Sequence, residues 1–205
     1  MSEPTSTEGS AEDATAPGLL ARARGGDAEA FGALFEAQAA RVLLYVRLRL
    51  SADLGQRLEP EDVLQETGLS AFASIGGFEP RGRGSFGRWL CRVAENRLRD
   101  AAEHHGARKR RPEGEREAIT VVLDRVRLSV TGPATAVQRG EGQARLRERL
   151  EALPGEEREV LLGRYFRGAS AAELARELGR SESAVRRLLG RATEQLGREL
   201  GEAGA

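Results

Sequence analysis

The sequence predicts an all-α protein of two small helical domains joined by a flexible linker, the second domain carrying a helix-turn-helix. Three observations carry that prediction. Apolar residues recur at helical spacing, as in Leu64, Gly68, Ala71, Phe72 and Ile75, while strand-like alternation is limited to short runs. Ala, Leu and Arg recur and aromatics make up only 4% of the chain, which favours helices over sheets. Finally, 205 residues with abrupt shifts in composition suit two small cores better than one large one.

Residues 1–17 are rich in Ser, Thr, Glu and Ala and contain neither Lys nor Arg, so this acidic tail is expected to be disordered. The first domain, 18–111, opens with helices over Leu19–Arg24 and Ala28–Gln38, Asp27 being the N-cap of the second and Phe31, Leu34 and Phe35 facing inward. Arg41–Leu50 continues as helix. Val46 to Leu50 also alternates like a strand, but the flanking helices decide against it. Ser51–Pro60 reads as a turn. The helix from Asp62 to Ile75 buries Leu64, Gly68, Ala71, Phe72 and Ile75, which leaves Asp62, Gln65, Glu66 and Leu69 pointing elsewhere. Carboxylates crowd its first turns, as the positive end of a helix dipole favours, so ordinary helix-start chemistry accounts for them as readily as a binding role. Gly76–Gly84, with four glycines and Pro80, is a loop. Ser85 to about Glu103 is a helix burying Phe86, Leu90, Val93, Ala94, Leu98 and Ala101. Arg88, Arg92, Glu95 and Arg99 lie on its opposite face, and Trp89 and Asn96 share one flank.

Residues 112–140 form the linker, which holds the one β-prone run, Ile119–Val130. The second domain, 141–201, starts with a stripe of Leu146, Leu150 and Leu153 that Pro154-Gly155 ends, then a stripe of Val160, Leu161, Tyr165 and Phe166. Ser170 and Glu173 have capping-box spacing ahead of a short helix that Gly179 closes. Ser181 caps a longer helix with Val185, Leu188, Leu189, Ala192, Leu196 and Leu200 buried, and 202–205 is a short tail. Short helix, glycine turn and longer helix make a helix-turn-helix, whose exposed Ser183, Arg186, Arg187, Gly190 and Arg191 are placed to meet a major groove.

The formal net charge is +0, yet its distribution is uneven. Between Arg81 and Arg111 ten basic residues stand against three acidic ones, so a polyanion is the natural partner of that stretch. Cys91 is the only cysteine, which leaves no disulfide, and the two histidines, His104 and His105, diverge on a helix too far to share one metal. No cofactor or metal is expected. No apolar run reaches the ~20 residues of a membrane span and no signal-peptide pattern opens the chain, so a cytoplasmic location with no membrane partner is expected. A Ser/His/Asp set, a phosphate-cradling glycine motif and metal-ligand spacing are all missing from the sequence, and an enzyme is not expected.

The order D-V-L-Q-E (62–66), G-F-E-P-R-G (77–82) and F-x-x-W-L-x-x-V-A-x-N-x-L-x-D (86–100), preceded by G-D-A-E-A-F (26–31), resembles region 2 of bacterial sigma factors, most nearly the extracytoplasmic-function group. Leu153 to Gly179 is similar to sigma region 4. The resemblance implies a subunit that binds the RNA polymerase core and recognises and melts promoter DNA. On this reading Asp62, Gln65, Glu66 and Leu69 dock on the clamp helices of the largest polymerase subunit. Phe78, Arg81, Arg83, Arg88, Trp89, Arg92, Asn96 and Arg99 meet the minus-ten element, with the 76–84 loop holding a base flipped from the non-template strand. Ser183, Arg186, Arg187, Gly190 and Arg191 meet the minus-thirty-five element. Family members are commonly held inactive by an anti-sigma factor. This chain departs from the usual recognition-helix pattern at Ser183-Ala184-Val185 and Arg187-Leu188-Leu189, so the promoter sequence read is not carried over. The alternative is a helix-turn-helix regulator that binds duplex DNA without docking on polymerase. It needs only the second domain and leaves the D-V-L-Q-E and Trp/Arg helices without work.

Overall fold

The computed structural model describes residues 18–50, 58–103 and 146–202, with side chains as far as 198, and these residues are helical almost throughout, with no strand among them. Helix α1 covers residues 18–24, α2 Ala28–Arg49, α3 Pro60–Ser74 and α4 Ser85–Glu103. After the linker come α5 (residues 146–152), α6 (Gly155–Leu161), α7 (Ala171–Leu178) and α8 (Glu182–Glu202). A 3-10 turn at Ile75–Gly77 follows α3, and a π-helical turn at Leu162–Arg167 follows α6. The expected tail, the 51–57 turn, the His pair, the Arg108–Arg111 cluster and the linker with its β-prone run lie outside the described residues.

Asp27 caps α2 as its sequence position implies, its Oδ1 accepting from the Ala30 amide at 3.0 Å while Arg22 pairs with Oδ2 at 2.7 Å. The Ala30 amide first, and Arg22 after it, hold the Asp27 carboxyl below its usual value. Helix α2 then runs unbroken to Arg49, because Phe35, Ala39, Val42 and Val46, spaced four, three and four apart, are all buried on one helical face, whereas strand alternation would put Ala39 and Val42 on opposite sides. Helix α3 starts at Pro60, two residues before the expected Asp62, since Pro is pre-set for the first helical turn and Glu59 takes the N-cap position. It buries Val63, Leu64, Thr67, Gly68 and Ala71, and it closes on α2 at Gly68, where a Cβ would stand 3.3 Å from the Phe35 ring.

Phe31, Phe35, Leu64 and Leu90 are fully buried where α2, α3 and α4 meet, each contributing about 2 kcal/mol of burial. Phe31 and Phe72 have ring centroids 5.3 Å apart. Arg97 of α4 donates to Ser70 Oγ of α3 at 2.7 Å and Arg47 of α2 pairs with Glu61 of α3 at 2.7 Å, so polar contacts at the rim hold the same register. Cys91 is packing within this core, and burial pushes its thiol up to about 11.

In the second unit Ser170 and Glu173 form the complete capping box, Gly179 turns left-handed at φ +61, and Ser181 Oγ accepts from the Ala184 amide at 3.2 Å. Leu150, Leu153, Val160, Leu161, Leu174, Val185, Leu188 and Ala192 are buried, Leu189 and Leu196 are half-buried, and the Leu200 side chain lies outside those described. One stripe is corrected. Tyr165 was expected to face inward with Val160, but the π turn rotates it out to 55% exposure and leaves Phe166 half-buried.

The sequence implied two separate helical bodies. In the structure they pack together: the apolar cluster around Phe31 and Leu64 continues into Leu150, Leu153, Leu161, Leu162 and Ala192 of the second unit. A smaller cluster of Val160, Ala169, Leu174, Ala175, Val185 and Leu188 belongs to the second unit alone.

Candidate functional site

On α3 the buried stripe fixes which side faces out. Asp62 and Glu66, one turn apart, are exposed, and Gln65 and Leu69 beside them are half-exposed. Neighbouring Glu61 is spoken for by Arg47, so Asp62 and Glu66 carry the negative charge of this face. Two carboxylates one turn apart and a half-covered Leu69 make an acidic face with an apolar edge, whose charge is complementary to a basic surface.

The loop after α3 is exposed from Glu79 to Gly84, and Gly82 and Gly84 turn it with φ of +78° and +66°. Arg81 and Arg83 project from it, Arg81 only loosely paired with Glu79 at 3.5 Å. Phe78 does not join them. It is 5% exposed and packs on Phe86 and Trp89, with ring centroids at 5.6 and 5.0 Å, so it supports the loop from below and offers no free face to a base. The expectation for Phe78 is corrected on that ground, since a ring wedged between two others must leave the core before a base can stack on it.

Along α4, Arg92, Asn96 and Arg99 are exposed, and Arg88 and Trp89 are half-buried. Glu95 was placed on this outer face and is instead buried, at 7% exposure. Tyr45 of α2 donates to its Oε2 at 2.7 Å, and Arg49 grips both oxygens at 2.9 and 3.1 Å. Burial opposes ionisation of Glu95, but the Arg49 charge and the Tyr45 hydroxyl outweigh it and hold the carboxyl below the ordinary glutamate value. Burial and the Glu95 charge push the Tyr45 phenol up, so it stays a donor. Arg99 lies 3.7 Å from Glu95 across one helical turn, which ties the outer arginine face to the buried carboxylate. A Tyr and an Arg four residues apart on the inner face of α2 were the sequence signal for this network.

On α8, Ser183, Arg186, Arg187 and Gly190 are exposed near the N-terminal half, as expected of a recognition helix. Arg186 leans back on Glu182 at 2.7 Å. Arg191 is also exposed, its side chain at 64%, and pairs at 3.1 Å with Glu157 of α6. Among the described residues no cluster of His, Cys, Asp and Glu could hold a metal, and no helix is long and apolar enough to cross a membrane.

The arrangement is one acidic face, one basic face with an arginine-bearing loop, and one exposed helix-turn-helix. Known proteins combine the same parts. Residues 34–108 match the family model for sigma-70 region 2 and residues 143–196 the model for sigma-70 region 4. The chain is 32% identical over 182 residues to the extracytoplasmic-function RNA polymerase sigma factor BldN of Streptomyces coelicolor, an alignment that covers 89% of this chain and 64% of that relative. It is 30% identical over 187 residues to the RNA polymerase sigma-H factor of Pseudomonas aeruginosa, with 89% and 92% covered. A solved structure of CnrH in complex with the cytosolic domain of CnrY aligns at 24% identity over 90% of this chain and 96% of that one, with a TM-score of 0.42.

Proposed function

The chain belongs to the sigma-70 family, in its extracytoplasmic-function group, and on that premise we propose how its surfaces divide the work of initiation. It is a promoter-recognition subunit of RNA polymerase that acts in the cytoplasm by binding, without catalysis of its own. The α3 face of Asp62, Gln65, Glu66 and Leu69 docks on the polymerase core, at the clamp helices of its largest subunit. Arg81 and Arg83 of the loop, with Arg88, Trp89, Arg92, Asn96 and Arg99 of α4, hold the unwound minus-ten strand. There guanidinium groups neutralise phosphates and stacking on exposed bases contributes ~1–3 kcal/mol per base. Helix α8 reads the minus-thirty-five duplex through Ser183, Arg186 and Arg187, with Gly190 allowing close approach. An anti-sigma factor that holds the chain inactive is part of the same reading.

The observation that carries this division is the exposed Asp62–Glu66 face standing beside an arginine-lined helix in one chain with a helix-turn-helix. A duplex-binding regulator has no use for the first two. Run-off transcription with purified core polymerase on a promoter library is the direct test, and template-specific transcripts are the expected result. In the same assay Arg186→Ala or Arg187→Ala is expected to change promoter ranking, each lost base contact being worth about 1–3 kcal/mol. An unchanged ranking across the library would remove both residues from the reading surface.

A further inference from the structure

Where the two units meet, arginines of both are held by backbone and not by carboxylates. Arg92 of α4 donates from Nε to the carbonyl of Arg167 at 2.9 Å, Arg41 of α2 donates to the carbonyl of Tyr165, and Arg164 of the π turn donates to the carbonyl of Ala169 at 3.3 Å. The stem of Arg88 lies against Gly168, which at φ +67° has no side chain to push it away. Among the described residues none of these guanidinium groups is in an ion pair, whereas the adjacent Arg49 and Arg167 are paired with Glu95 and Glu177. The carboxyl of Glu173 is held below its usual value first by the Ser170 amide and hydroxyl, at 2.7 and 2.8 Å, and to a smaller extent by Arg92, so that acid is committed to the α7 cap. A guanidinium has five donors, so one bond to a carbonyl orients it and leaves both donors and charge for an anion. The π turn that sets Phe166 on Tyr45, with the Arg41 guanidinium 5.2 Å from the centre of its ring, also carries Tyr165 outward. At 55% exposure Tyr165 is the one large apolar side chain that stands exposed among the described residues.

We propose that the junction extends the strand-binding surface of α4 onto the second unit: Tyr165 stacks on an unpaired base of single-stranded DNA, and Arg41 and Arg164 take the phosphates beside it. The inference rests on the proposed function for the strand that reaches it. The exposed face of α4 runs from Arg99 through Asn96 to Arg92, and the bond from Arg92 to the Arg167 carbonyl leads a strand lying there onto the π turn. Arg41, Arg92, Arg164 and Tyr165 are all exposed. An open array of guanidinium groups beside an aromatic ring fits a chain of phosphates and bases, whereas a small ligand needs walls that bury most of it. Duplex DNA keeps its bases stacked inside and offers Tyr165 no face to meet. Leu150, Leu153, Leu161 and Leu162 join the second unit to the core of the first, so the two halves of the surface are in place before a strand arrives and binding pays little for ordering them.

The test uses the full chain and the variants Tyr165→Ala, Tyr165→Phe and Arg164→Ala, neither residue being one that the proposed function uses. Fluorescence anisotropy over a range of salt reads binding to randomised single-stranded DNA, single-stranded RNA and duplex DNA, and circular dichroism melting verifies that each variant is folded. Tyr165→Ala is expected to weaken binding of single-stranded DNA at least about fivefold, the loss of one stacked base, while Tyr165→Phe keeps the ring and binds as wild type does. Arg164→Ala is expected to make the slope of log affinity against log salt shallower by ~0.7, one phosphate contact fewer. Duplex affinity is expected to stay unchanged in all three. Ultraviolet cross-linking of a bromodeoxyuridine-substituted strand to wild type is expected to label the peptide that carries Tyr165. No measurable binding of single-stranded DNA by wild type, Tyr165→Ala and Arg164→Ala that both bind as wild type does, an equal loss with duplex, or a label absent from that peptide each overturns the extension. A loss seen with RNA and not with DNA overturns its assignment to DNA. Failure of wild type to direct core polymerase in run-off transcription overturns the proposed function instead, and the single-strand measurements are independent of it.

Discussion

Asp62→Arg combined with Glu66→Arg is expected to lower affinity for core polymerase by about a hundredfold or more while leaving the melting temperature near that of wild type. Both residues are exposed on α3 and neither holds up the core. Glu61, the acid next to them, is paired with Arg47 at the rim of the core and is left alone by the double variant. Removing one partner of a desolvated charge pair costs about 2–5 kcal/mol, and reversing two charges adds repulsion, so ~3 kcal/mol is a lower bound that corresponds to about a hundredfold. Co-purification or surface-plasmon binding to core enzyme measures it. Retention at wild-type strength would place the docking surface elsewhere on the chain. The effect is also expected to shrink in high salt, because the interaction across an exposed face is screened within ~10 Å at 0.1 M.

Local chemistry made most of the helices legible. Asp27, Ser170 with Glu173, Gly179 and Ser181 each mark a helix end by a bond confined to a few residues, and each does in the structure what its spacing implied. Periodicity likewise placed Leu64, Ala71, Leu90, Ala94 and Val185 inside. It failed where a residue's partner lies far along the chain. Glu95 sits in the register of Arg88, Arg92 and Arg99, and periodicity assigns any charge there to solvent, but Tyr45 and Arg49, some fifty positions upstream, draw it in. Phe78 was read as a loop residue and is core because Phe86 and Trp89 meet it from the next helix. Tyr165 was misplaced because a π turn adds a residue to the helical turn, which no 3.6-residue count anticipates. The docking of the two units was illegible for the same reason, since it depends on that turn presenting Phe166 to Tyr45.

Glu95→Ala is expected to cost about 3 kcal/mol of stability and to lower the melting temperature by about 10 °C, the largest loss from any single polar substitution proposed for this chain. The argument is that of a buried pair broken on one side. Arg49 has a side chain only 25% exposed, and without Glu95 its charge is left facing the Tyr45 hydroxyl. Arg49 retains Glu159, which holds the cost to the lower end of the range for buried pairs. Glu95→Gln separates charge from shape, because the amide oxygen still accepts from Tyr45 while the ion pair is lost. The pH dependence follows from the direction of the Glu95 shift. Its carboxyl is held below the ordinary value of 4.5 in the folded chain, so the unfolded chain binds the proton first. The stabilisation is therefore fully present above pH ~5 and is lost as pH falls through the lower, folded value. Urea denaturation of wild type and Glu95→Gln should then give curves well separated at pH 7 that converge in acid. Curves that coincide at pH 7, or that stay equally far apart at every pH, would mean that the carboxylate contributes nothing as a charge. In that case Arg49 would owe its position to Glu159 alone.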